Sequence, residues 1–416
     1  MILHVWRRYA PFSLCVALLA TPLSAEPLSL PQALALAERH SPLLQGAQAQ
    51  RAGAHAALES ALAYPNPEAE ITSGRYRPRH GGGESGRGDT LGLSQPVELP
   101  SLRTSRAALA QAGITVGEAA LEQARLDLRT HVKQAYYEAQ RREEEARLAD
   151  ENHALLLLIR NRVKLRVEVG EAPRYELVKA EAEALNAGSQ ARSAQLRISQ
   201  AKAALRALLG APLPDDFELS ALPPAPQEAP SLETLRAEMQ ARLPALRAGQ
   251  AAAQRAQARV AMERSLRLPQ PVLKWSAERD PETSLWRLGV ALPLPLWNRR
   301  EGPIGEAVAG LHQAEAGMRH LELTLLNELD QAHGRYQIAR RQVAVYEGGL
   351  LAEAENALKV AEAAYRFGER SILDYLDAQR TLRMVRMDYL EARYELLAAL
   401  TEIERLRATP FDGELS

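Results

Sequence analysis

Polar and apolar positions along this chain fall into two kinds of stretch. Long ones, rich in alanine, leucine, glutamate and arginine, have helical character; short ones alternate apolar and polar residues and read as strands. The order is helix, two strands, a very long helix and a last helix, and then the same series again. Helices are expected from Leu30 to Leu62, Leu102 to Val169 and Pro173 to Leu209, then from Leu232 to Leu268, Gly302 to Arg366 and Ser371 to Arg407. Strands are expected at 67–75, 89–99, 271–279 and 284–294. In the first pair, Ala69 and Ile71 alternate with Glu68, Glu70 and Thr72, and Leu91, Leu93 and Val97 with Thr90, Gly92 and Ser94. In the second pair, Leu273, Trp275 and Ala277 share one face, and Trp286, Leu288, Val290 and Leu292 share another.

The series repeats at a spacing of about 200 residues, which marks an internal duplication. Leu28-Ser29-Leu30 and Ser41-Pro42 recur as Ser231-Leu232 and Leu243-Pro244, and Tyr64-Pro65-Asn66-Pro67 recurs as Leu268-Pro269-Gln270-Pro271. Gln95-Pro96-Val97-Glu98-Leu99-Pro100 recurs as Leu292-Pro293-Leu294-Pro295-Leu296-Trp297. Gly170-Glu171 and the run from Glu176 to Glu181 recur as Gly368-Glu369 and the run from Asp374 to Gln379. The copies span 26–211 and 231–407, separated by a proline-rich linker at 212–230 and followed by a tail at 408–416. Gly170 and Gly368 fall where a left-handed C-cap ends one helix, and Pro173 suits the first turn of the next.

Element lengths exclude an ordinary globular core. A helix of roughly 65 residues is about 100 Å long, and the first and last helices of each copy, stacked end to end, match it. A long antiparallel helical barrel is the expected result. Each strand has roughly the 9–11 residues of a tilted transmembrane strand, and tryptophans at strand positions fit an aromatic girdle; two small soluble hairpins are the alternative. The loop from Tyr76 to Gly88, with Gly81-Gly82-Gly83, is long and polar, whereas the second hairpin closes tightly through Asp280-Pro281-Glu282. Beyond the N-terminal segment no apolar run is long enough for a spanning helix. A membrane crossing would therefore need a closed barrel. Four strands are too few, since about eight is the minimum, so several chains must pool them; three chains give twelve. The expected fold class is mainly α, a long coiled-coil barrel with four strands per protomer contributed to a trimeric transmembrane β-barrel.

Composition narrows the function. A net charge of −1 leaves no basic field for nucleic acid, and aromatics are scarce at 5%. Arg7 and Arg8 precede a short apolar core, Phe12 to Ala20, and the stretch Leu23-Ser24-Ala25, which ends in small residues; this reads as a secretory signal cut after Ala25. The single cysteine, Cys15, lies inside that core after Leu14, the wrong context for lipid attachment. It leaves with the signal, and with it disulfides, thiolate metal sites and cysteine nucleophiles.

Together the duplication, the Asn66-Pro67 strand start and the segment from Gly368 to Ala378 resemble the TolC-like outer-membrane factors over nearly all of residues 26–407. The stretches from Leu93 to Pro100 and from Leu292 to Arg299 are most similar to the CzcC-type, heavy-metal branch. The resemblance implies a homotrimer in the outer-membrane lipid, a periplasmic adaptor, an inner-membrane resistance–nodulation–division pump, and a passive duct for heavy-metal cations. It also implies a gate at the periplasmic end of the tunnel. Tyr365 and Arg370 match the gate tyrosine and arginine, and Asp374 and Asp377 the paired acidic residues of the entrance. In the first copy, Glu176 stands where aspartate is common and Tyr175 where a hydroxyl residue is common. Independently of the family, Asp374 and Asp377 share a helix face, and a ring of such carboxylates concentrates cations. Arg370 could pair bidentately with a carboxylate such as Glu176. The plainer alternative is that these are solvated charges favoured in a first helical turn.

Other signals carry no chemistry. The nine histidines form no ligand cluster, the triple glycine lacks the Lys-Ser/Thr of a phosphate loop, and no catalytic triad is present. No cofactor and no enzymatic activity are expected. A duct for drugs or secreted proteins keeps the same fold; a soluble periplasmic coiled-coil scaffold is the alternative of another class.

Overall fold

A computed structural model of the chain describes residues 27–77, 84–221 and 229–411. The expected signal with Cys15, the glycines 81–83, linker residues 222–228 and the tail from 412 lie outside the described residues. The first copy comprises α1 (Leu30–His40), α2 (Pro42–Leu62), β1 (Glu68–Tyr76), β2 (Gly86–Pro96), α3 (Pro100–Glu168) and α4 (Arg174–Leu209). The second comprises α5 (Leu232–Arg242), α6 (Pro244–Ser265), β3 (Val272–Arg279), β4 (Ser284–Ala291), α7 (Glu301–Val345), a π turn (Tyr346–Leu350), α8 (Leu351–Arg366) and α9 (Ile372–Arg407).

The first helix of each copy differs from the expectation in being two. α1 starts on a reciprocal cap: the Gln32 N–H donates to Ser29 Oγ at 3.4 Å and the Ser29 N–H to Gln32 Oε1 at 2.9 Å. It stops at Ser41 because Pro42 has no N–H to continue the ladder, yet is well suited to begin a new helix. Pro244 repeats the break between α5 and α6. α3 is continuous over 69 residues, about 100 Å, with α1, α2 and α4 packed along it. Its second-copy counterpart, expected as one helix, is interrupted. Gly349 has φ +145° within the π turn, a conformation that glycine alone adopts without strain.

The four strands form one antiparallel sheet in the order β1-β2-β3-β4. Ile71, Leu91, Ala277 and Trp286 are register partners across it, and so are Leu93, Trp275 and Leu288. The tryptophans of β3 and β4 therefore lie on one face, not on two as their sequence suggested. That face is apolar and bare: Ile71 is 81% exposed, Leu288 73% and Trp286 72%. The opposite face carries Glu68, Glu70, Thr72, Ser94, Lys274, Glu278 and Arg287, with Arg287 Nη1 donating to Glu278 Oε2 at 3.0 Å. At the β3–β4 turn, Asp280 Oδ1 accepts from the Glu282 and Thr283 N–H groups at 2.8 and 2.6 Å. Thr283 Oγ1 is the first of the donors that hold the Asp280 carboxyl below its ordinary range.

Burial is concentrated at helix seams. One cluster joins α5, α7 and α9 around Leu235, Met239, Leu329 and Ile403. A second joins α1, α3 and α4 around Leu128, Tyr136, Leu205 and Leu209. The linker is tied down at its start: Leu28 bridges Leu219, and Tyr136 Oη donates to the Leu28 carbonyl at 2.7 Å. Among the described residues no helix is long and apolar enough to cross a membrane.

Candidate functional site

The helical ends far from the sheet are made by two equivalent turns. After α3, Gly170 (φ +81°) turns the chain, with the Glu171 N–H donating to the Arg166 carbonyl at 2.8 Å and the Gly170 N–H to that of Val167 at 3.1 Å. After α8, Gly368 (φ +75°) does the same, with Glu369 donating to Ala364 at 2.9 Å and Gly368 to Tyr365 at 3.2 Å. Both are Schellman caps, which need a residue free to adopt positive φ. The equivalence fixes Tyr365 in the last turn before the break.

A third apolar cluster binds the two hairpins together here. Leu156, Ile159 and Val163 of α3 and Ala180, Ala184 and Ala187 of α4 meet Tyr365, Ile372, Tyr375 and Leu376. Tyr365 and Tyr375 stack with ring centroids 6.0 Å apart, and the Arg166 guanidinium lies 5.0 Å from the Tyr365 centroid. The Tyr365 hydroxyl is buried, with no hydrogen-bond partner of good geometry among the described residues. Burial pushes its pKa up; Arg166 opposes this and the nearby Glu176 charge adds to it. Tyr365 is therefore a neutral phenol at physiological pH, wedged between the copies.

Polar ties flank the wedge. Arg162 Nη1 donates to Glu362 Oε1 at 3.0 Å, Arg380 Nη2 to Glu183 Oε1 at 2.9 Å, and Arg383 Nη1 to Gln190 Oε1 at 3.1 Å. Gln379, nearly buried, donates to Asn152 Oδ1. Each tie joins the first copy to the second. The sequence reading missed all of these residues, and also Arg166. Each looks like an ordinary polar or charged surface residue on its own helix, and its partner lies roughly one repeat away.

The six residues singled out from sequence separate into three groups. Tyr365 is central to the contact. Asp374 is a helix cap: Ser371 N–H and Oγ donate to its Oδ2 at 3.2 and 3.0 Å. Arg370, Asp377 and Tyr175 are exposed, and the Arg370 and Asp377 side chains have no hydrogen-bond or ion-pair partner among the described residues. The expected Arg370–Glu176 pair does not form inside one chain; half-buried Glu176 lies instead on the Tyr365 side. Among the described residues no cluster of His, Cys, Asp and Glu is arranged to hold a metal ion.

A model of the outer membrane efflux protein family matches residues 33–211 and 235–408. The chain belongs to the outer membrane efflux protein family. That places it among ducts and not among soluble scaffolds, in accord with the resemblance read from its repeated motifs. The cobalt-zinc-cadmium resistance protein CzcC of Cupriavidus metallidurans is 28% identical over 385 residues, 92% of this chain and 90% of that protein. The nickel-cobalt-cadmium resistance protein NccC of Alcaligenes xylosoxydans xylosoxydans is 26% identical over 302 residues, 71% of this chain and 66% of that one. The channel-forming protein CusC superposes with a TM-score of 0.80 over 92% of both chains at 18% identity. The mainly helical fold with a strand contribution to a channel is thus that of this efflux family.

Proposed function

We propose that three copies close a twelve-stranded barrel in the outer membrane, with a helical tunnel beneath it, as the passive exit duct of a tripartite efflux system. A periplasmic adaptor and an inner-membrane resistance–nodulation–division pump feed the duct, and heavy-metal cations are the cargo. The chain reaches the membrane through a signal at 1–25, is cut after Ala25 and is not lipidated. Its units are the copies at 26–211 and 231–407.

The sheet carries this reading. One face is apolar and exposed, the other polar, and β1 and β4 are both unpaired edges. In lipid an unsatisfied backbone group costs several kcal/mol, so β4 of one copy must pair with β1 of the next. The cargo reading is supported by the similarity to CzcC and NccC and by the polar face, where Glu68, Glu70 and Glu278 outnumber Lys274 and Arg287. A strain lacking the gene is expected to lose tolerance to cobalt, zinc and cadmium while keeping its antibiotic tolerance. Antibiotic sensitivity with intact metal tolerance would overturn the cargo and leave the duct.

At the tunnel's periplasmic end, Tyr365 binds the two repeats of one protomer together beside Glu176, while Arg370 and Asp377, whose side chains have no partner among that protomer's described residues, meet a neighbouring protomer or the entering ions. Arg370→Ala is expected to raise single-channel conductance in planar bilayers; an unchanged conductance refutes its gate role. Asp377→Asn is expected to lower cation preference, read from the reversal potential in a salt gradient. Asp374→Asn is expected to act mainly on the helix start, by about 0.5–1 kcal/mol, and is the poorer probe of selectivity.

A further inference from the structure

The apolar face of the sheet ends in arginines. Moving away from the helices, the row Ile71, Leu91, Ala277 and Trp286 is followed on the same face by Ser73, Asp89, Arg279 and Ser284, and then by Arg75 opposite Arg87. Successive same-face rows are roughly 6.6 Å apart, so the guanidinium groups begin where the apolar band stops. Arg87 Nε donates to Asp89 Oδ1 at 2.8 Å and to Ser73 Oγ at 3.1 Å. Arg75 and Arg279 are exposed and have no side-chain partner among the described residues. Three arginines thus face one carboxylate, and two of them sit directly opposite each other. Like charges in that relation destabilise a strand pair unless an anion lies between them.

We infer that this arginine rim binds the phosphate groups of an anionic phosphorylated lipid of the outer leaflet. The inference rests on the membrane reading above. On that reading the hairpin ends point to the exterior and this face toward lipid, so the rim meets headgroups and not the lumen. A forked guanidinium matches a phosphate bidentately, and the exposed Trp286, one row inward, lies where a ring sits at the edge of an apolar band. The ligand is a lipid and not a free anion, because the apolar face below it seats the acyl chains.

The full chain, reconstituted in phosphatidylcholine vesicles, tests this through energy transfer from its tryptophans to a dansyl-labelled bisphosphorylated lipid A, against dansyl-phosphatidylcholine. Wild type is expected to enrich the phosphorylated lipid around itself, and rising salt to abolish the enrichment. Arg75→Gln/Arg87→Gln/Arg279→Gln is expected to lose it by about fivefold per guanidinium, while the corresponding triple Lys variant retains it. Equal transfer from both lipids, an unchanged Gln variant, salt-independent enrichment, or competition by inorganic phosphate at the lipid's own concentration overturns the inference. If the Gln variant fails to assemble, the wild-type lipid comparison and salt series decide. Stable insertion in pure phosphatidylcholine without preference sinks this inference alone, whereas failure to insert sinks the membrane reading.

Discussion

Leu288→Arg is expected to abolish assembly in the outer membrane, and Thr72→Arg to leave it intact. Leu288 lies opposite Trp275, in the row that also holds Leu93, near the middle of the apolar face. An arginine at the midplane of a lipid-facing strand costs about 2–4 kcal/mol, incurred once per copy, so a trimer bears it three times. Thr72 lies on the opposite, polar face beside Glu70, whose carboxylate already accepts from Thr72 Oγ1 at 3.4 Å. There an arginine stays in water and gains an acidic neighbour. The measurement is the yield of detergent-extracted, SDS-resistant oligomer from outer-membrane fractions. Wild-type yield from Leu288→Arg, or equal loss from both variants, would show that the apolar face does not meet lipid.

The contrast between these two residues is legible in sequence only in part. Alternation within each strand gave the two faces of that strand, since side chains alternate with a period of two. It did not say which face of β3 matches which face of β4, because that depends on register and on the length of the turn. The structure pairs Ala277 with Trp286 and so unites both tryptophans. Helix lengths were read well, because 69 residues of α3 pass without a proline after its first turn. The breaks were read poorly. Pro42 and Pro244 were visible as repeated features, yet a first-turn proline is compatible with either a fresh start or a continuing helix. Gly348-Gly349 lie mid-helix, and glycine there costs only about 1 kcal/mol each, so pattern alone did not demand a π turn.

At the helical end, Tyr365, Gly368 and the acidic pair were found by their motif, but their partners were not. Arg162, Arg166 and Glu183 meet residues of the other copy, and no local periodicity reports on contacts of that range. Asp374 and Asp377 look equivalent in sequence, three apart on one helix face. The structure separates them, because Ser371 at the helix start recruits Asp374 as its cap, whereas the Asp377 side chain has no partner among the described residues. The chemistry of a first helical turn thus took one of two candidate site residues.

Glu404→Gln is expected to destabilise the helical body by up to about 3–5 kcal/mol. Lys133 Nζ donates to Glu404 Oε2 at 2.5 Å with side-chain exposures of 7% and 10%, joining α3 of the first copy to α9 of the second. The Phe411 N–H donates to Glu404 Oε1 at 2.8 Å, so one carboxylate also fixes the residues that follow α9, and Phe411 packs under Arg407. Removing the carboxylate charge takes from a buried ammonium the counter-ion 2.5 Å away, and that loss exceeds the net worth of the pair. Lys133→Met alone takes from the buried Glu404 carboxylate this ammonium and is expected to destabilise in the same direction. Lys133→Met/Glu404→Gln removes both charges while the amide oxygen still accepts from Phe411, so the double variant is expected to recover most of the loss. Thermal unfolding followed by helical circular dichroism in detergent measures this. Additive losses in the double variant, or singles indistinguishable from wild type, would mean that Lys133 and Glu404 are stabilised independently. Because the pair lies away from Tyr365 and the hairpin turns, the folded single variants are expected to conduct as wild type does, which separates stability of the body from control of the gate.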